Sequence, residues 1–299
     1  MKTVSSEYIN TKFNNKEDYR REDERLDGEI FRIADDIALR CKDKPIVLLS
    51  GPSGSGKTTT AHKISGYLDE KGHKTHVISL DNYFKTILPD GQDEVDFESP
   101  SRIDSKMLSE HIKKISECKE IELPTFDFLS KKSVSSGIKL KRKKGEVVLF
   151  EGIHALNPDA VPIDNETSVK IYASVRTRIS CGNEIIHPKF IRLLRRMNRD
   201  EIYRGRSISE TADYFKSVER GEELYVAPFK RFADYSIDTF IAYEPKIYAG
   251  LLLDEIRKIT ESKNDDVMKY LEACLANFVA GDKKLIVKSS IIREFIGEN

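Results

Sequence analysis

The stretch GPSGSGKTT at residues 51–59 limits what this chain can fold into more than any other. It matches the spacing G-x-x-x-x-G-K-[ST], and it lies between an apolar run, PIVLLS, and a helical stretch from Lys57 to about Lys71. Gly51, Gly54 and Gly56, with Ser53 and Ser55 between them, let backbone N–H groups turn inward around a phosphate, where the positive end of the following helix adds to the attraction. Lys57 supplies a point charge to the outer phosphates, the Thr58 hydroxyl suits the shell of a magnesium ion, and Thr59 continues the helix start. A nucleoside triphosphate with Mg is therefore expected, while the reaction stays open.

Four further apolar runs read as strands: THVISL and EVVLFEG, both expected to be buried on both faces, then VKIYASV (169–175) and YSIDTFIAY (235–243). Helical segments at about 104–118, 188–201, 207–221 and 246–261 separate them. This alternation predicts an α/β fold with a mostly parallel five-stranded sheet and helices on both faces. IELPTFDF and SSGIKLKR read as a small β-rich insertion. Leu26, Ile30, Ile33, Ile37 and Cys41 recur at helical spacing, whereas residues 1–20 look polar and loosely ordered. Three regions follow: 1–44, an N-terminal helical extension; 45–262, the phosphate-loop domain; and 263–299, an appendage with a helix over 266–279 and a short apolar piece, LIVKSS.

Fifty basic and fifty acidic side chains cancel, so no global field attracts nucleic acid or an anionic membrane. No apolar run reaches the roughly 18 residues of a membrane span, and the N-terminal stretch has no secretory h-region. Cys41, Cys118, Cys181 and Cys274 are far apart and fit reduced thiols in the cytoplasm. LKRKKGE (140–146) reads as a solvated loop, and His154 and His187 as structural residues. The oligomeric state is open, a homo-oligomer included.

What is done with the phosphate must be read elsewhere, because this loop serves switches, motors and kinases alike. No guanine-reading NKxD is present. Asp81 and Glu151 end two of the expected strands, and in parallel sheets such ends converge on one crevice. Asp81 suits a base that orients an acceptor hydroxyl, a magnesium ligand or a helix cap; Glu151 suits magnesium or a turn cap. Arg192, Arg195, Arg196, Arg199, Arg204 and Arg206 fall within fifteen residues, and beside a phosphate cradle they read as a mobile lid that neutralises charge and expels water.

These pieces together resemble the uridine kinase and phosphoribulokinase family, in its nucleoside kinase branch, over roughly residues 45–260. The resemblance rests on GPSGSGKTT, SLDNYF, DFESPSRID, IELPTFDF, VVLFEGIHAL, RRMNRDEIYRGRS and APFKRFADYSI. It implies ATP-dependent phosphorylation of a ribonucleoside 5′-hydroxyl, with Asp81 as base, Lys57 and the lid as electrostatic stabilisers, and Glu151 near magnesium. It further implies Asp96 and Arg206 as holders of the ribose, and Arg196, Arg199 and Arg204 around the phosphates. Where uridine and cytidine kinases typically show Tyr-Asp-Phe and then His-Ser-Arg, this chain reads Phe126, Asp127, Phe128, Leu129, Ser130, Lys131, Lys132, Ser133. Phe84 and Phe126 are left to stack on a base, and the polar contacts that select a pyrimidine have no evident donor. The alternatives are a same-family kinase acting on another sugar, sugar phosphate or vitamin alcohol, and a non-catalytic ATP-binding regulator. The tail SIIREFIG is similar to the end of longer bacterial nucleoside kinases and receives no catalytic role.

Overall fold

The computed structural model describes residues 2–87, 96–128, 130–162 and 166–297. The chain opens with a short strand, β1 (Thr3–Ser5), and two helices, α1 (Ser6–Lys12) and α2 (Lys16–Arg40), each capped by a polar side chain, Ser5 and Asn15. Then come β2 (Ile46–Ser50), α3 (Lys57–Glu70), β3 (Thr75–Ser79) and α4 (Ser105–Ser116). The hairpin β4 (Glu120–Asp127) and β5 (Lys132–Lys141) follows, then β6 (Val147–Glu151) and β7 (Ser168–Ser174). A second small hairpin, β8 (Arg178–Cys181) and β9 (Glu184–Ile186), leads into α5 (Pro188–Arg204) and α6 (Ile208–Tyr225). The chain continues through β10 (Tyr235–Asp238), α7 (Glu244–Ser262), α8 (Asp266–Leu275) and α9 (Arg293–Ile296).

The five expected strands form one all-parallel sheet in the order β10-β7-β2-β6-β3. β2 and β6 are buried along their whole length, as continuous apolar runs in a two-layer cover must be. β3 is only half-buried, against expectation, because it forms the sheet's edge. The fifth run stops at Asp238: Thr239–Tyr243 leave the sheet as a buried loop that turns into α7. The β-rich insertion is the antiparallel pair β4 and β5. Basic Arg142 at its end is buried rather than solvated, donating to the carbonyls of Ile115 and Ser116.

The first twenty residues are ordered, contrary to the reading of them as loose. β1 pairs with β8, and Ile9, Phe13 and Tyr19 are buried in the larger of two apolar clusters. Tyr19 stacks on Tyr243 with ring centroids 4.1 Å apart. The Tyr243 hydroxyl donates to Asp23 of α2 (2.6 Å) and also meets Ser290 of the tail (3.0 Å). That same cluster holds Leu26, Ile30, Ile33 and Ile37 of α2 together with Ile291, Ile292 and Phe295. In the tail, the helix ends at Leu275 rather than running to 279, and a single helical turn, Lys283–Leu285, leads into LIVKSS, whose Ile286 is buried.

Candidate active site

The loop between β2 and α3 takes the conformation its glycines permit. Gly54 and Gly56 sit at φ 75° and 79°, where an L side chain is strained, and Gly56 is the residue from which α3 starts. Space is short as well: a Cβ on Gly54 would lie 3.0 Å from the Arg192 carbonyl, and one on Gly56 would collide with the Ile291 side chain. Ser50 ties the loop's entry to the turn after β6 through a 2.8 Å bond to the Ile153 carbonyl.

Asp81 lies in the helical turn Leu80–Tyr83, which follows β3 directly. Ser79 caps that turn by accepting from the Asp81 N–H at 3.3 Å, so the Asp81 carboxylate has no capping task. Ser79 pairs in register with Glu151, and Gly152 is so close to Leu80 that a Cβ would lie 2.7 Å away, which brings the two strand ends together. Burial pushes the Asp81 carboxyl above its ordinary pKa, against the pull of Lys57, Arg204 and Arg199. Its side chain nonetheless opens to the solvent of the cleft, so that push is weaker than in a sealed interior. Buried Glu151 is likewise raised, chiefly by desolvation, with Lys57 pulling it back and Asp81 adding repulsion. Lys57 is lowered by desolvation, and Glu151, Glu294 and Asp81 oppose that shift. One ammonium thus stands among three carboxylates. Magnesium needs only one or two protein oxygens because it keeps several waters, and the exposed Thr58 hydroxyl and the Glu151 carboxylate suit that donor set.

The arginines divide into two groups. Arg192 and Arg195 belong to the frame of the phosphate loop and not to a lid: Arg192 donates to the Ser53 carbonyl (3.2 Å) and pairs with Glu222 (2.6 Å). Arg195, fully buried, donates to the carbonyls of Gly54 (3.1 Å) and Thr239 (2.7 Å) and to both oxygens of Glu244. Burial pushes Glu244 up while Arg195 pulls it back. With the Ile241 N–H (3.1 Å) also donating to Glu244, we take the pair as ionised, the carboxylate holding Arg195 above its ordinary pKa against the cost of burial.

The second group surrounds Asp200, a fully buried carboxylate. Arg204 reaches it at 3.0 Å, Arg196 and Arg199 at 3.6 Å and Arg206 at 3.7 Å. Arg196 also bonds the Ser53 hydroxyl, and Arg206 lies over the Tyr214 ring, 4.8 Å from its centroid. α5 ends at Gly205, and α6 starts with a reciprocal cap between Ser207 and Glu210, so these guanidiniums hang from a helical corner. Four guanidiniums thus share Asp200, with Glu294 beside Arg199 and the Glu98 charge acting on Arg196.

Directly after the turn that carries Asp81, Phe84 packs edge to face with Phe126 and Phe128, the centroids of the trio lying 5.1–6.4 Å apart. Phe84 and Phe126 are buried by this packing, and the ring left open is Phe128, 62% exposed. Leu129 lies outside the described residues. Asp96 is exposed and accepts from the Glu98 N–H at 3.0 Å, a local turn contact. Arg196 and Lys57 both act on the Glu98 carboxyl, which burial raises.

A model of the phosphoribulokinase / uridine kinase family matches residues 46–242. The chain belongs to that family. A uridine kinase of Staphylococcus aureus (strain JH9) is 30% identical over 200 residues, covering 66% of this chain and 88% of its own length, and that of strain Newman matches equally. Among solved structures, a kinase assigned to a fructose transport system in Silicibacter sp. TM1040 is 15% identical, with 69% of this chain and 98% of that one covered at a TM-score of 0.50. D-glycerate 3-kinase from Cryptococcus neoformans var. grubii is 13% identical over 67% of this chain and 88% of that one, at a TM-score of 0.47. The first of these two likenesses shows the fold alone. Family membership makes the protein a kinase and implies ATP as donor, usually with magnesium. No helix among the described residues is long and apolar enough to cross a membrane.

In this kinase the structure gathers Asp81, Lys57, Glu151, Arg199 and Arg204 around one cleft, while Asp96 and Arg206 engage Glu98 and Asp200 rather than each other. Sequence reasoning does not find Asp200, Glu98, Glu244 or Glu294. His154, structural by its sequence, is buried; that burial lowers its pKa to about 4, and charges on Asp96 and Lys57 act on it. The one local signal for Asp200 is its place inside RRMNRDEIYRGRS, an acid among five arginines.

Proposed function

We propose that this kinase transfers the γ-phosphoryl group of ATP to the 5′-hydroxyl of a ribonucleoside. The observation that carries the reading is the placement of Asp81: a carboxylate without a capping role, at the end of a parallel strand, under the field of Lys57, Arg204 and Arg199. In the ionised form it would accept the proton of the acceptor hydroxyl and aim the oxygen at the phosphorus. Lys57 would hold the outer phosphates, and Arg199 and Arg204 would leave Asp200 in part to meet charge that develops during transfer. Bound magnesium, held through Thr58 and Glu151, would supply further neutralisation of the triphosphate. Asp96 is assigned to the ribose hydroxyls; its turn contact with the Glu98 N–H uses one oxygen and leaves the other to accept. The choice of a nucleoside is supported by the uridine kinases of S. aureus and by an aromatic wall ending in exposed Phe128, a face suited to a base.

The test is to incubate the purified protein with ATP, magnesium and each common ribonucleoside, and to look for the monophosphate. No product with any of them would reject the reading. A second acceptor class is favoured by one observation: Phe126 and a Ser-Lys-Lys run occupy the segment where pyrimidine-reading groups would stand. Phosphorylation of a sugar, sugar phosphate or vitamin alcohol in place of the nucleosides would establish it.

A further inference from the structure

The first turn of α3 is already in use. The Glu294 carboxylate accepts from the Thr59 N–H (3.2 Å) and from the Thr59 hydroxyl (2.7 Å). Thr59 follows the last residue of the phosphate-loop motif, Thr58, and its N–H belongs to the orphan donors at a helix start that make such a loop an anion cradle. The carboxylate arrives from the far end of the chain, 235 residues away in sequence. It comes seated: Ile291 fills the space beside Gly56, the Asn198 amide donates to the Phe295 carbonyl (2.7 Å), and Arg293 donates to the Ile286 carbonyl (2.7 Å). Arg199, one of the guanidiniums of the cleft, lies 4.0 Å from Glu294. The next residue, Phe295, is buried with its ring centroid 4.9 Å from the Arg195 guanidinium and 6.0 Å from that of Arg199.

An anion on the helix start and a flat ring on a guanidinium, side by side, are the two chemical features of a nucleotide's inner end. We propose that the C-terminal segment 290–297 is an internal competitor for the nucleotide site, with Glu294 standing where the α-phosphate of a nucleoside di- or triphosphate binds. This rests on the reading of residues 51–59 as a nucleotide cradle and not on the identity of the acceptor. Nucleotide binding must then displace the Glu294 carboxylate, and the segment's own contacts set the affinity. If the Glu294 carboxylate occupies the helix start in about nine of ten molecules of the free form, affinity is weakened about 10-fold.

Two measurements decide it, both with ADP and magnesium, so that no acceptor is needed. Glu294→Ala and Glu294→Gln should bind ADP about 10-fold and several-fold more tightly than the unaltered protein, by calorimetry, with pyrophosphate affinity less changed. In the unaltered protein, ADP should speed hydrogen exchange of the 290–297 amides. If the substituted proteins bind ADP equally or more weakly, or if ADP slows exchange there, the tail is a fixed wall of the site and the proposal is overturned. Should both variants fail to fold, the exchange experiment alone separates a released tail from a fixed one. ADP that binds without releasing the tail sinks this proposal and leaves the kinase reading standing; ADP that binds neither form sinks the cradle reading along with it. Failure to phosphorylate nucleosides, with tail release intact, rejects only the acceptor assignment.

Discussion

The two walls proposed for the cleft, the phosphate loop and the aromatic side, are built differently. On the phosphate wall nearly every group is tied down: Gly54 and Gly56 are crowded, Arg192 and Arg195 hold the loop's carbonyls, and Arg195 is locked to Glu244. On the proposed acceptor wall the exposed groups include Phe128 and Asp96, resting on packed neighbours or on a turn. A triphosphate presents the same charges to every kinase, so a rigid cradle suits it. An acceptor differs from one enzyme to the next, and side chains at an open rim can change without disturbing the sheet.

The sharpest way to break this comparison is Asp81→Asn. Turnover should fall by roughly 10²–10⁴-fold while ADP affinity holds, and the acid limb of the rate profile should vanish. In the unaltered enzyme that limb reflects loss of the ionised base, and the raised pKa of Asp81 moves it upward from the ordinary carboxylate range. A variant that loses ADP binding and turnover together would place Asp81 in the phosphate wall instead.

Arg195→Met should next unsettle the phosphate wall from within. It strands the Glu244 carboxylate in the core, and urea denaturation should register a loss of about 3–5 kcal/mol. An unchanged midpoint would mean that the loop does not depend on this brace. A third substitution, Asp23→Asn, probes the seam between α2 and the tail. Burial raises the Asp23 pKa to about 6, against hydrogen bonds from Ser290 and Tyr243 that lower it. The folded state therefore binds this proton more tightly than the unfolded chain, and stability falls as pH rises from about 4 to about 6. Asn should raise stability at pH 7.5 by up to about 2–3 kcal/mol and give no gain near pH 4, as denaturation at the two pH values will tell. The smallest effect is expected on the acceptor wall: Phe128→Ala should raise the acceptor KM roughly 5- to 10-fold through lost stacking, with the KM for ATP unmoved.

What sequence discloses follows the same division. GPSGSGKTT is legible because only glycine meets the backbone and space requirements of the loop, and the parallel sheet because continuous apolar runs have few other uses. Arg192 and Arg195 are misread as lid residues since a charge at helical spacing does not reveal its partner, and Glu244 lies 49 residues beyond Arg195. Order in residues 1–20 hides behind polar neighbours because Ile9, Phe13 and Tyr19 bury against segments far along the chain. The β8 and β9 hairpin does leave a trace: Gly182-Asn183 is a two-residue turn signal, and Cys181 pairs with Glu184 across it. Phe84 and Phe126 are evident as aromatic residues, but packing decides which ring of a trio remains open, and that is a property of the assembled wall.

The strand order carries a consequence for how the protein is made. β2 lies at the centre of the sheet, yet both its neighbours, β6 and β7, leave the ribosome roughly 100 residues after it. At about 5–20 residues per second, its apolar run waits for some 5–20 s with no partner strand. Protease applied to stalled nascent chains ending before Val147 should cut at 46–50, and chains extending past Ser174 should resist. During synthesis the strand that leads into the glycine loop is thus a segment of this kinase on which a chaperone would act.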